Sequence, residues 1–252
     1  MKRALEIILL LGLMATSGMP LFIDNMPVFM AYFVYCMFCF FFFRVNLRPF
    51  LPFLILFSGI LFVQFLNTGI YYGPTVVAQI MILMTAVITV GVLKERFVSS
   101  FLQIMTYIAI ISLIFFLPIL AMPSLMDVLI ANFPIHVALE KETYGISQVS
   151  HNFLFFNMTP DFVYRIRNSG PFWEAGVFGG YLIVTLILNT IREGSIFNRR
   201  GLLFLFCILT TFSTTAYLAL FLFIGIYYAV KISSPILRAA SILVFAIGFT
   251  YA

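Results

Sequence analysis

The sequence predicts an all-α, polytopic transmembrane helical bundle of about eight spans plus an incomplete ninth, with one long outer loop. Three observations predict it. Of 252 residues, 63% are hydrophobic and only 9% are charged, against roughly 25% charged in soluble domains. The apolar residues gather in runs of about 20, the length of helix that crosses a hydrocarbon core of about 30 Å. Basic residues recur at alternate ends of those runs, which is the positive-inside pattern. That pattern explains the net charge of +5 with no need for nucleic acid as a partner.

Lys2 and Arg3 precede a first span, Ala4–Phe22, that leads straight into more apolar sequence and so reads as an uncleaved anchor. A turn containing Asp24 separates it from a second span, Pro27–Phe43, closed by Arg44 and Arg48. The third and fourth, Phe50–Leu66 and Thr75–Leu93, flank the turn N-T-G-I-Y-Y-G-P, whose tyrosines suit a membrane interface. Lys94 and Arg96 end that hairpin. The fifth, Phe101–Ala121, carries Pro118 near its far end, where neighbouring groups can satisfy the freed carbonyl. A loop follows over residues 122–169. Within it Leu125–Leu139 is apolar but broken by Asp127, Asn132, Pro134 and His136, so an interfacial or re-entrant piece is expected there and not a crossing.

The sixth span is expected over Pro171–Ile191, with Gly170 as N-cap, Pro171 as first helical residue, and Arg192, Arg199 and Arg200 after it. The run Gly201–Val230 has 30 residues, long for one helix and short for two, and charge decides between them. A hairpin turning at Ser213, Thr214 and Thr215 returns Lys231 and Arg238 to the side of Arg199. Then 11 of the 14 basic residues lie on the cytoplasmic side, with the N-terminus. Lys141, Arg165 and Arg167 are left on the outer side, in the periplasmic or extracellular loop 122–169. The last run, Ala239–Ala252, stops after 14 residues, so further residues beyond it are expected. With no internal repeat or soluble domain in view, residues 1–252 read as a single transmembrane domain.

Charge, helix-start chemistry and a span meet only in R-I-R-N-S-G-P-F-W-E-A-G-V-F-G-G-Y, Arg165–Tyr181. Arg165 and Arg167 stand where the positive-inside pattern tends to exclude basic residues, just before a helix N-terminus that favours anions. The planar guanidinium donates paired hydrogen bonds to phosphate and stays charged. Pairing with Asp161, Glu174 or lipid headgroups is the plainer role for both. Glu174, at the same boundary, is a candidate general base, or else a partner for Arg167 or for the helix dipole. Gly176 and Gly180, with Gly179 beside them, allow another helix to approach.

His136 and His151 are the only histidines, both in the outer loop, and His151 is the better candidate for an acid/base or binding role. Trp173, Tyr144 and Tyr164 suit interfacial anchoring, and an aromatic face also stacks on sugars. Cys36 and Cys39 form C-x-x-C without a companion pair, so they and Cys207 read as membrane packing. No D-x-D, H-x-x-E or Walker A stretch is present, and neither a metal nor a nucleotide cofactor is expected.

Two motifs together carry a family resemblance. Arg167, Gly170, Phe172 and Glu174 resemble the R-x-x-G-x-F-x-E-P signature of bacterial O-antigen and exopolysaccharide polymerases and the related O-antigen ligases, with Ala175 where proline is common. T-F-S-T-T-A-Y, Thr211–Tyr217, resembles their short helix ending in Thr-x-Ser and followed at once by another span, with Thr214 where many relatives have arginine. The resemblance implies a glycosyltransferase on the outer face of the bacterial cytoplasmic (inner) membrane that polymerises polyprenyl-pyrophosphate-linked oligosaccharide repeat units, needing no cofactor. Arg167, with Arg165 second, would bind the pyrophosphate. Gly170, Trp173 and His151 complete the candidate binding set, and the base stays open between Glu174 and a residue beyond Ala252. Expected partners are the lipid-linked oligosaccharide, membrane lipid and a chain-length regulator. An O-antigen ligase acting on lipid A core remains open, as do two other classes, a lipid-linked sugar flippase and a purely structural membrane subunit. A transporter would be expected to show charged or broken helices near the midplane and paired repeats.

Overall fold

Helices dominate the computed structural model, in which residues 2–20, 25–68, 73–132, 137–143, 146–153, 155–158 and 166–231 are described. The chain divides into two compact units, Met1–Phe101 and Leu102–Ala252. Five of the described helices are long and apolar enough to cross a membrane. A helical, membrane-embedded chain is what these lengths support. The expected last span, Ala239–Ala252, and the return of the chain at Arg238 lie outside the described residues, as do the Asp24 turn and Pro134.

The first unit holds α1 (Lys2–Thr16), α2 (Met26–Phe43), a 3₁₀ turn (Arg48–Phe50), α3 (Leu51–Thr68) and α4 (Gly73–Leu93). Asn25 caps α2 by accepting from the Val28 N–H at 3.3 Å, and Pro27 sits in the first turn, where its missing N–H costs nothing. Helices α1, α2 and α4 pack together. Hydroxyls of Tyr32 and Tyr35 on α2 donate to the Leu9 and Leu5 carbonyls of α1 at 2.7 and 3.1 Å. Gly12 makes that approach possible, because a Cβ there would overlap the Tyr32 ring. The α3 side chains Ile55, Leu56 and Phe62 are exposed, as suits contact with lipid.

Helix α5 (Arg96–Ala121) starts five residues before the expected Phe101 and runs on into the second unit. Its first residue, Arg96, donates to the Glu6 carboxylate at 2.7 Å. The second unit continues with α6 (Ser124–Asn132), the strands β1 (Val137–Thr143), β2 (Ile146–Asn152) and β3 (Asn157–Met158), then α7 (Ala175–Glu193), α8 (Arg199–Thr210) and α9 (Thr214–Lys231). At nine residues, α6 is about 13 Å long and does not cross a bilayer. Its Leu125, Met126, Leu129 and Ile130 pack on Phe116, Ile119, Phe153 and Phe156. The outer loop is not irregular throughout, since it carries a small antiparallel sheet of order β1-β2-β3.

Helix α7 packs against both α8 and α9. Gly194 ends α7 in the left-handed region, and Asn198 caps α8 by accepting from the Gly201 N–H at 2.9 Å. The break between α8 and α9 covers Thr211–Ser213, two residues before the expected turn, because Phe212 takes φ +47° and stops α8. Tyr217 pins the break by donating to the Leu209 carbonyl at 2.6 Å. At its other end α9 returns to the end of α7, where Tyr227 donates to the Gly194 carbonyl at 3.3 Å. The two short helices thus form the expected hairpin, with its tip against the first turns of α7.

Candidate functional site

The sequence Asn168-Ser169-Gly170 makes a tight turn for local reasons. Asn168 Oδ1 accepts from the Gly170 N–H at 3.1 Å, the Asx-type bond that asparagine favours. Gly170 then adopts φ +53°, which glycine alone takes freely. The Phe172 N–H donates to the Ser169 carbonyl at 3.1 Å and closes the next step. Fully buried, the Phe172 ring stacks on Phe178 and Tyr181 with centroids 5.7 and 4.6 Å away. Those two rings are three residues apart on α7 and share a face. This packing holds residues 170–173 off the helix axis. Helix α7 therefore starts at Ala175 and not at Pro171, and Gly170 and Pro171 are turn residues and not N-cap and first helical residue. Glu174, extended at φ −145° and ψ 143°, occupies the N-cap position without a side-chain capping bond.

Asn168 is also the centre of a buried polar cluster. Its Nδ2 donates to Thr210 Oγ1 at 2.9 Å and to Ser112 Oγ at 3.2 Å, and it lies 3.7 Å from Cys207 Sγ. Its main-chain N–H donates to the Thr210 carbonyl at 3.1 Å. The sheet holds the turn from the other side. Asn152 Nδ2 donates to the Pro171 carbonyl at 3.4 Å, Asn157 Nδ2 to the Trp173 carbonyl at 3.3 Å, and the Asn157 N–H to the Gly170 carbonyl.

The hairpin tip faces the start of α7. A Cβ built on Gly176 would lie 3.5 Å from Glu174 Oε1 and 3.6 Å from Ser213 Oγ, so a carboxylate and a hydroxyl flank a notch that exists because residue 176 has no side chain. Ser213 Oγ also accepts from the Ala216 N–H at 3.4 Å at the start of α9. The close helix approach falls at Gly179, where a Cβ would overlap the Ala216 methyl. Gly180, expected to share that contact, faces open space, since α9 crosses on the Gly176 and Gly179 side.

Of the residues read as candidates, Arg167 and Glu174 are exposed at the two ends of the turn, and Trp173 is half-buried between them. Gly170 is buried, so what it supplies is backbone conformation. His151 lies half-buried on β2, opposite Ala138 and Met158, and the bond from that strand end to the turn comes from its neighbour Asn152. Arg165 lies outside the described residues, with Asp161, Tyr164, Tyr144 and His136. Among the described residues no group of three or more His, Cys, Asp or Glu comes together. Cys36, Cys39 and Cys207 are buried thiols. Sequence reasoning missed Asn168, Ser112, Thr210, Asn152 and Asn157. The Asn-Ser-Gly order signals an Asx turn, and a lone serine inside an apolar run signals a buried polar partner. Comparison with known protein families, curated proteins and solved structures returns no match.

Proposed function

We propose that the chain is a membrane glycosyltransferase that polymerises polyprenyl-pyrophosphate-linked oligosaccharide repeat units. One observation supports this reading above the others. The turn between Arg167 and Glu174 is hydrogen-bonded through Asn168 to Thr210, the last residue of α8, which directly precedes Thr211–Tyr217, so the two stretches resembling O-antigen polymerases are held next to each other. Asn168 and Thr210 are 42 residues apart in sequence.

The reaction asks little beyond placement and management of charge. An acceptor hydroxyl attacks the anomeric carbon of the donor glycan, the new C–O bond forms, and the bond to pyrophosphate breaks with its electron pair on the leaving oxygen. Arg167 binds the pyrophosphate and stabilises the charge that develops there. Glu174 accepts the hydroxyl proton. Ser213, across the Gly176 notch, offers a hydroxyl to orient the acceptor sugar, and half-buried Trp173, next to Glu174 in sequence, offers an aromatic face for stacking. The site belongs on the outer face of a bacterial inner membrane, where the donor brings its own bond energy.

The test is polysaccharide laddering in cells that carry full-length Arg167→Ala, with a membrane blot for protein level. Loss of the ladder while single repeats still reach lipid A is the expected result. An unchanged ladder at normal protein level refutes the role of Arg167. Loss of all surface glycan points instead to a ligase or a flippase.

A further inference from the structure

We infer that Asn168 is the positioning residue for Arg167: by tying its main chain and side chain to Thr210, it fixes where the guanidinium can reach. The geometry is independent of any reaction. The expected effect on turnover rests on the glycosyltransferase reading.

Asn168 is fully buried, and its main-chain N–H and both polar atoms of its side chain are hydrogen-bonded. Two of its bonds go to Thr210, whose carbonyl is one of the four that a helix end leaves without an intrahelical partner. Asn168 is thus a C-terminal cap for α8 supplied from a distant part of the chain. The chemistry asks for an amide. Ser112 Oγ donates to the Ala109 carbonyl at 2.9 Å and Thr210 Oγ1 to the Cys207 carbonyl at 2.7 Å, so both hydroxyl protons are committed and their lone pairs need a donor. The Gly170 N–H needs an acceptor on the same side chain. A carboxamide meets both demands with two donor hydrogens and an acceptor oxygen, whereas a hydroxyl has one proton to donate, a carboxylate accepts without donating and an aliphatic side chain does neither.

On the other side of Arg167, Ile166 packs on the cluster of Phe116, Ile119, Phe153 and Phe156. Arg167 is the exposed residue between two anchored ones, so its backbone position is set relative to the end of α8. A misplacement of about 1 Å costs on the order of a hundredfold in a positioned reaction.

The experiment uses the full chain in lipid nanodiscs, spin-labelled at Arg167→Cys and at Phe197→Cys, the latter exposed just before α8. Pulsed EPR reads the distance distribution with Asn168 intact, with Asn168→Ala and with Thr210→Val, which keeps the shape and removes one acceptor. A narrow distribution is expected with Asn168, and at least a twofold broader one in both variants. In parallel, unlabelled Asn168→Ala and Thr210→Val are assayed for extension of lipid-linked repeat units per folded protein. A tenfold or larger fall in kcat is expected with KM changed less than twofold, and Asn168→Ala is expected to add no further loss to Arg167→Ala. An unchanged width, or additive losses, overturns the inference. Broadening with unchanged turnover leaves the positioning role standing and refutes the glycosyltransferase role of Arg167. If Asn168→Ala fails to fold, Thr210→Val decides by the same readings.

Discussion

Replacing Gly170 by alanine tests the turn at its tightest point. At φ +53° the left-handed conformation costs an L-residue about 1–2 kcal/mol. The new Cβ would also meet three ring carbons of Phe178 at 2.9 to 3.0 Å, inside the optimal carbon separation of about 3.5–4.0 Å. Overpacking of that kind costs about 1–3 kcal/mol, so Gly170→Ala is expected to destabilise by about 2–5 kcal/mol in all. Phe178→Ala is costly by itself, about 3–5 kcal/mol for a buried ring. In that background the steric share vanishes, and Gly170→Ala should cost only its backbone share of about 1–2 kcal/mol. A double-mutant cycle therefore predicts a coupling of about 1–3 kcal/mol. The assay is reversible unfolding in mixed micelles by added SDS, followed through Trp173, the single tryptophan of the chain and a neighbour of the turn. If Gly170→Ala lies within about 0.5 kcal/mol of wild type, or if the two substitutions add, Gly170 is not held against Phe178 and the account of where α7 begins fails.

Two further contrasts use the same unfolding assay. Gly179→Val should cost at least about 1–3 kcal/mol, because its side chain must displace Ala216 and part α7 from α9. Gly180→Val, one residue on and facing open space, should stay within about 0.5 kcal/mol, and the reverse order would place α9 on the wrong side of α7. The Arg96–Glu6 pair joins a 62% exposed guanidinium to a 4% exposed carboxylate. Arg96→Ala leaves that buried charge without its partner and should cost about 1–3 kcal/mol. Glu6→Ala leaves an arginine that still reaches water and should cost under about 1 kcal/mol. Equal losses would mean that Glu6 does not carry the burial cost.

Run length and charge placed three of the helices closely, whereas α1 ends at Thr16, short of the expected Phe22, where Ser17 and Gly18 turn. Helices α2, α3 and α4 begin and end within two residues of the runs Pro27–Phe43, Phe50–Leu66 and Thr75–Leu93. Sequence boundaries fail where a tertiary contact overrides them. Phe172 is apolar and follows a Gly-Pro pair, yet its stacking on Phe178 and Tyr181 keeps it out of α7. The hairpin from Val137 to Asn152 was obscured by the polar composition of the loop, although Gly145 between two partly alternating stretches marks it. The candidate site was picked out in the sequence by its charges. Arg167 and Glu174 stand out because charge is rare in this chain, and both prove exposed. The bond from Asn168 to Ser112 spans 56 residues, and no local pattern encodes a contact at that separation.

Burial along this stretch explains how a helical chain can hold the backbone positions of two charged residues in a fixed relation. Residues 168–172 are all buried, and Arg167 and Glu174 flank them on the exposed side. The five buried residues are anchored in three directions: to the end of α8 through Thr210, to the sheet through Asn152 and Asn157, and to α7 through the Phe172 ring. A loop that ran freely over the surface would leave two long charged side chains without a defined geometry, and ordering them would carry an entropic cost of the order of 1–2 kcal/mol each. Here the separation between the backbone positions of guanidinium and carboxylate is set by the turn, before any ligand arrives. Preorganisation of this kind is what the proposed transfer, in which charge develops at one atom while a proton leaves another, would require. It also explains why the most informative residue is uncharged, because removing Arg167 deletes a group whereas removing Asn168 deletes the place where it is held.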